Sequence, residues 1–173
     1  MKKYFYIIII LVINFSCSGP QENNTQSILD SIDQMEAKLY NGDDVQINMD
    51  NAVDLINLYQ KFALENPKDS LAPVFLFRAS DLSMNLNRPV QTIAIFDDLL
   101  DRYPDYEKVP SVLFLKAFVY EDQLKDFDQA KIYYEEFLQK YPDSDFADDA
   151  EISLKNLGKT PEDLILEFEK NQQ

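Results

Sequence analysis

Residues 125–142, KDFDQAKIYYEEFLQKYP, carry the strongest indication of the fold. Their apolar side chains recur at spacings of three and four, which is typical of one face of an amphipathic helix. Asp126 or Asp128 can cap this helix at its start. Tyr141-Pro142 ends it, because the residue before a proline disfavours helical backbone. The stretch therefore predicts one amphipathic helix with a defined end.

The end of this helix also occurs twice earlier in the chain. YQKFALENP at 59–67, FDDLLDRYP at 96–104 and YEEFLQKYP at 134–142 share an aromatic first residue, an apolar fourth residue and a final proline. An offset of 38 residues also matches the helices that precede the last two endings, with Leu76 falling on Phe114. A recurring helix pair that cannot cover its own apolar face must stack on its neighbour, so the pattern predicts a solenoid.

Helical periodicity extends along the rest of the chain without sustained alternation, so the predicted fold class is all-α. We expect about three repeats and a C-terminal helix pair. The fifth helix is predicted to run from about Pro110 to Leu124, and Gly158 supplies the left-handed residue that ends the seventh. The eight helices are expected to open near Ser27, Asp50, Ser70, Pro89, Pro110, Asp126 or Asp128, Phe146 and Thr160.

The composition removes most catalytic and cofactor chemistry. The chain has 173 residues, a net charge of −15, no His, one Cys and three Gly. Without His there is no imidazole base or His-ligated metal, and one Cys forms neither an internal disulfide nor a thiolate zinc site. The glycines are too scattered for a phosphate-binding loop, and the negative charge disfavours nucleic acid. We therefore predict no catalytic residue, no cofactor, no metal and no nucleic-acid partner.

Clusters of acidic residues occur at 97–101 and 143–149. A calcium loop requires a glycine near its middle, and neither cluster contains one. The second cluster precedes a predicted helix, where carboxylates are stabilised by unpaired amide groups and the helix dipole. We therefore interpret these acids as helix caps and solvated surface.

Residues 1–16 have the composition of a secretory signal, with a basic start and an apolar run over 4–13 that is too short to span a bilayer. The only cysteine, Cys17, follows directly after a small residue. This arrangement resembles a bacterial lipoprotein signal, which implies cleavage before Cys17 and a lipid attached to it. An ordinary secretory signal with an incidental cysteine is the alternative. Ser18 after the cysteine implies sorting to the outer membrane.

The chain is accordingly divided into three segments. Residues 1–16 are expected to be a signal peptide, and 17–26 a lipidated cysteine with a flexible tether, because SGPQENNTQ contains no large apolar residue. Residues 27–173 are expected to form the helical-repeat domain, which is long enough to bury a core.

The repeated helix pair resembles a tetratricopeptide repeat. Phe118 and Glu121 depart from that pattern, because a small residue and a tyrosine are expected at these two positions. The resemblance implies a right-handed solenoid and covers residues 50–168. The whole chain is similar to small tetratricopeptide lipoproteins of bacterial envelopes, and more distantly to the repeat lipoprotein of the β-barrel assembly machine. The matching positions of the repeat are Phe114, Ala117, Leu124, Ala130, Tyr134, Phe137 and Pro142.

In such a fold the first helix of each pair lines a concave surface, which suits a peptide with apolar anchors and basic residues. Phe77, Leu115 and Val119 have an alternative role as core residues, because apolar stripes at helical spacing are usually buried. The residues predicted to face the concave surface are Phe77, Asp81, Met84, Asn85, Leu115, Val119, Asp122 and Gln123.

The resulting hypothesis is a membrane-anchored adaptor, tethered by the lipid on Cys17, that binds a protein or peptide in the bacterial envelope. Two alternatives stay open: a subunit of an outer-membrane assembly or transport complex, and a surface lipoprotein that binds peptides or glycans. The absence of Trp weakens the glycan version. A hydrolase that uses only carboxylates is a minor third alternative.

Overall fold

The computed structural model describes residues 20–40 and 49–170, and these residues form eight α-helices and no strand. The helices are α1 (Pro20–Tyr40), α2 (Met49–Glu65), α3 (Leu71–Asn85), α4 (Pro89–Arg102), α5 (Val109–Phe118), α6 (Phe127–Lys140), α7 (Ala147–Asn156) and α8 (Pro161–Lys170). No helix in these two ranges is both long enough and apolar enough to cross a bilayer.

The helices form an all-α helical-repeat solenoid, as the sequence predicts. From α1 to α7 each helix packs against the next one along the chain. One core cluster is built mainly from α1 to α4, and a second mainly from α5, α6 and α7. Leu100 and Tyr141 pack against both clusters, so the apolar interior continues from one repeat into the next.

The first helix begins earlier than predicted. It starts at Pro20 rather than Ser27, within the segment 17–26 that we expected to be a flexible tether. Proline is favoured in a first helical turn because its missing amide would have no partner there. The side-chain amide of Asn24 donates to Glu65 Oε2 at 2.6 Å, which ties this turn to the end of α2. Residues 1–19 lie outside the described part of the chain, as do the predicted signal peptide and its lipidated cysteine.

The expected helix starts are largely confirmed. Asp126 Oδ1 accepts a hydrogen bond from the Gln129 amide at 3.1 Å, which settles the choice between two possible caps for α6. Thr160 and Asp163 form a reciprocal cap at the start of α8, in which each backbone amide donates to the other side chain. Ser70 precedes α3, but its side chain caps no amide there.

The fifth helix extends as far as predicted, but its last part is not a regular α-helix. Helix α5 ends at Phe118 and continues as a π-helical turn over Val119–Gln123 (the π turn), in which the Leu124 amide donates to the Val119 carbonyl at 3.0 Å. The wider turn inserts one extra residue into the helix. It places Val119 in the core and leaves the bulky ring of Phe118 partly in solvent.

The two central repeats reverse direction in the same way. Asn87 and Lys125, 38 residues apart, both have left-handed backbone, with φ of 53° and 55°. Gly158 ends α7 with φ of 73°, as predicted. A side chain with a Cβ atom pays a steric cost in this conformation.

Candidate partner-binding surface

The first helices of the first three helix pairs contact one another and form one layer, the inner layer (α1, α3, and α5 with its π turn). Arg78 on α3 lies 2.8 Å from Glu36 on α1. The side-chain amide of Gln123 in the π turn donates to the Met84 carbonyl at 3.0 Å. This order is the one expected of a solenoid whose first helices line one face.

An open pocket lies between α1, α2 and α3, and we call it the α1–α3 pocket. It is lined by Glu36, Tyr59, Arg78 and Asp81. The Tyr59 hydroxyl donates to Glu36 at 2.5 Å, and the Arg78 guanidinium donates to the same carboxylate oxygen at 2.8 Å. Partial burial disfavours the charge of Arg78, but the nearby Glu36 and Tyr59 together outweigh this effect, and the pKa of Arg78 is raised.

The pocket therefore presents one fixed cation and two carboxylates. Half of the Arg78 side chain is exposed, and Asp81 is exposed beside it. A guanidinium donates in a planar fork that matches carboxylates and backbone carbonyls, whereas Asp81 accepts from cationic or amide groups. The arrangement can recognise the polar backbone and charged side chains of a peptide.

Three of the predicted site residues form the apolar part of the inner layer. Phe77, Met84 and Leu115 are half-buried and pack against the edge of the first core cluster. The Lys108 ammonium lies 5.2 Å from the centre of the Phe77 ring, within the range of a cation–π contact. The part of each side chain that is not covered by the core is available to a partner.

Four further predicted residues are polar. Asp81, Asn85 and Asp122 are exposed, and Asp122 lies 3.4 Å from the ammonium of Lys125. Gln123 is half-buried and links the π turn to α3 through its bond to a backbone carbonyl. Gln123 therefore links two repeats, whereas the side chains of Asp81, Asn85 and Asp122 stay accessible to a partner.

Val119 does not line the surface. It is fully buried and belongs to the first core cluster, so a partner cannot touch it. The cause is the π turn, which rotates the residues after Phe118 relative to an uninterrupted α-helix. The alternative role of Val119 as a core residue is the correct one.

Lys116 is a notable side chain that the sequence reasoning missed. It is buried between the repeats, where its ammonium lies 2.5 Å from Asp97 and 3.9 Å from the Tyr133 ring centre. Burial lowers the pKa of Lys116, but hydrogen bonds to Asp97 and Tyr133 outweigh it, so the pKa is raised. The offset of 38 places Arg78 at the equivalent position, which is a signal that a charged residue recurs here.

A tyrosine–glutamate pair also recurs between a second helix and the inner layer. Tyr134 on α6 donates to Glu121 in the π turn at 2.7 Å, as Tyr59 donates to Glu36. Burial is the main reason why the pKa of Tyr134 lies well above its ordinary value, and the neighbouring Glu121 raises it further. The departure from the tetratricopeptide pattern at Glu121 thus has a structural partner.

Within the two described ranges no group of three or more acidic, His or Cys side chains is arranged to hold a metal ion. Asp148 and Asp149 lie in the first turn of α7, where the sequence analysis placed helix-capping acids. Carboxylates at this position interact favourably with the helix dipole, so their clustering has a local cause.

Comparison with known proteins agrees with the architecture. Residues 111–144 match the family model of the tetratricopeptide repeat. The match covers most of α5, the π turn and all of α6. None of the curated proteins compared with the chain matches it. Tetratricopeptide repeats are typically non-enzymatic scaffolds for protein–protein interaction, and the matched repeat supports that class of function and a protein partner.

Proposed function

We propose that the protein is a lipid-anchored scaffold of the bacterial envelope that binds a partner protein or peptide on its inner layer. The observation that carries this proposal is the continuity of the inner layer across α1, α3 and the π turn. Half-buried apolar side chains alternate there with exposed polar ones. Such a surface suits an extended or helical peptide with apolar anchors.

The partner is expected to carry basic residues beside its apolar anchors. The net charge of the whole chain is −15, and the inner layer exposes the carboxylates of Asp81 and Asp122. Charges of opposite sign speed encounter and fix the orientation of the bound chain. An acidic partner is disfavoured by the same charges.

The membrane part of the proposal rests on the sequence of the N-terminal segment. In this proposal Cys17 is lipidated after cleavage of residues 1–16. A short segment joins the lipidated cysteine to the helical repeats, which therefore lie close to the outer membrane. Substitution Cys17→Ser is expected to move the protein from the membrane fraction to the soluble fraction. Unchanged membrane association of that variant would remove the anchor from the proposal.

Binding on the inner layer is tested by crosslinking the tagged full-length protein in its envelope, purifying it in detergent and identifying captured proteins by mass spectrometry. The double variant Asp81→Lys plus Asn85→Lys changes two exposed residues of the inner layer. The matched control, Asp101→Lys plus Gln139→Lys, makes the same change of charge at exposed positions of α4 and α6.

We expect a defined partner that is lost in the inner-layer variant and kept in the control variant. Equal loss in both variants would indicate unspecific attraction to an acidic protein. Capture that is unaffected by either variant would place the binding surface elsewhere and would contradict the proposal.

A further inference from the structure

The C-terminal end of the solenoid has an apolar surface that no described helix covers. Helix α8 makes only sparse contacts with the other helices, and neither core cluster contains any of the α8 side chains that the structure describes. Ile165 is 58% exposed and Leu166 54% exposed, and Leu164 is also among the exposed large apolar residues. Ile152 on α7 adds a fourth exposed aliphatic side chain to this end of the chain.

Helix α8 is held by local interactions instead. The reciprocal cap of Thr160 and Asp163 fixes its first turn, and Lys159 lies 2.6 Å from Glu167 across the next turn. A ten-residue helix gains little stability from such interactions alone. A solenoid helix on which nothing stacks normally has a polar outer face. The apolar side chains that α8 exposes therefore indicate that something stacks on it.

The other described helices do not supply the cover. They stack in chain order, so α1 lies at the other end of the solenoid. The occupant is therefore not one of the described helices.

The charge of this end indicates the chemistry of the occupant. From residue 143 to residue 170 the chain carries nine carboxylates and three lysines. A second copy would bring the same acidic surface and be repelled by it. A basic partner is attracted by it, and an amphipathic helix presents an apolar stripe of matching shape.

We propose that α8, together with the exposed side of α7, docks a basic amphipathic helix of a second protein. This end-on site is distinct from the inner layer. Apolar side chains of the partner cover Ile165 and Leu166, and its lysines or arginines face the surrounding carboxylates. The solenoid then binds partners at two places, and α8 acts as its second contact surface.

The test uses the full-length protein in phosphatidylcholine nanodiscs and two synthetic amphipathic helical peptides. Both peptides carry the same leucine face; one has lysine and the other glutamate on its polar face. Each carries a photo-crosslinking group, and binding to empty nanodiscs is subtracted. We expect saturable binding of the lysine peptide, crosslinks within α7 and α8, and no binding of the glutamate peptide.

The variant Ile165→Gln plus Leu166→Gln removes apolar surface without changing charge. It is expected to weaken binding of the lysine peptide about tenfold or more. Leu64→Gln plus Val90→Gln is the matched control, because these residues are even more exposed, at 73% and 75%, and lie on α2 and α4. The control is expected to change the affinity by less than about twofold.

Four results would overturn this proposal: equal binding of both peptides, equal weakening in both variants, crosslinks confined to the inner layer, and binding only to empty nanodiscs. Sedimentation of the protein alone distinguishes a second copy, since a dimer lost in the Ile165→Gln plus Leu166→Gln variant would identify the chain itself as the occupant. The inner-layer proposal is tested with different variants and a different readout, so the two proposals fail separately.

Discussion

The first central repeat (α3 and α4) and the second (α5, the π turn and α6) share one backbone plan but solve the same packing problem with different polar groups. In the first, the Thr92 hydroxyl donates to Ser83 Oγ at 3.0 Å, and both residues are fully buried. At the position equivalent to Ser83 the second repeat has Glu121, which accepts from Tyr134. The Tyr134–Glu121 pair reaches the protein surface through the half-buried Glu121, whereas the Thr92–Ser83 pair is fully buried.

The difference continues at the position equivalent to Ser80. Ser80 is buried, and its hydroxyl donates to the Phe77 carbonyl at 2.7 Å. The second repeat has Phe118 there, a ring too large for that space, and the helix widens into the π turn directly after it. A bulky residue at a close helix–helix contact is thus accommodated by a change in the backbone, which turns the ring outward and the next side chain inward.

The largest expected effect tests whether the helices of the two repeats are equally tightly packed. Ala79 and Ala117 are equivalent and fully buried, so Ala79→Glu and Ala117→Glu each place an unpaired charge in the core. We expect each to cost several kcal/mol, enough to approach the whole stability of a small domain. Thermal unfolding by circular dichroism measures this. Ala94→Glu, at an exposed position of α4, is the control. A normal melt for either core variant would show that the repeat register is wrong.

The next expected effect compares the two cations at equivalent repeat positions, Lys116 and Arg78. The Lys116 side chain is 6% exposed and pairs with Asp97, whereas the Arg78 side chain is 50% exposed. We expect Lys116→Ala to lower the free energy of unfolding by about 2 kcal/mol, because it removes a buried stem and a short ion pair. Arg78→Ala should cost less than about 1 kcal/mol. Urea unfolding of both variants compares them, and equal losses would show that burial of Lys116 adds nothing.

Substitution Tyr134→Phe gives the second repeat the ring that the first repeat has at Phe96. It is expected to cost about 1 kcal/mol at neutral pH, because Glu121 loses its hydrogen bond. The pKa of Tyr134 is raised in the folded protein, so its contribution is complete below about pH 10 and is lost as the pH rises further. The fall of Tm above that pH should be shallower in the variant. An identical pH profile would contradict this role of Tyr134.

The smallest effect concerns the two left-handed residues. Lys125→Gly removes a steric cost that asparagine tolerates better than lysine, so we expect it to stabilise the protein by about 0.5 kcal/mol. Asn87→Gly at the equivalent position should change stability by less than that. Thermal melts of the two single variants check the order. A destabilised Lys125→Gly would indicate that the exposed pair with Asp122 outweighs backbone strain.

The sequence alone predicted the fold class, the repeat offset and most helix boundaries. These features depend on local causes: proline removes a backbone donor, Asp126 caps the amides that follow it, and Gly158 adopts left-handed backbone without strain. The early start of α1 escaped prediction because its first turn is tied to α2, which is distant in sequence.

Only the tertiary structure decided which side chains of the inner layer are accessible. Val119 and Lys116 are buried because neighbouring helices cover them, and the π turn sets the orientation of Val119. Burial depends on what packs against a residue, which one helical period cannot reveal. The same limit applies at α8. Its start is predicted from the cap residues, but only the arrangement of the other helices shows that Leu164, Ile165 and Leu166 are left exposed.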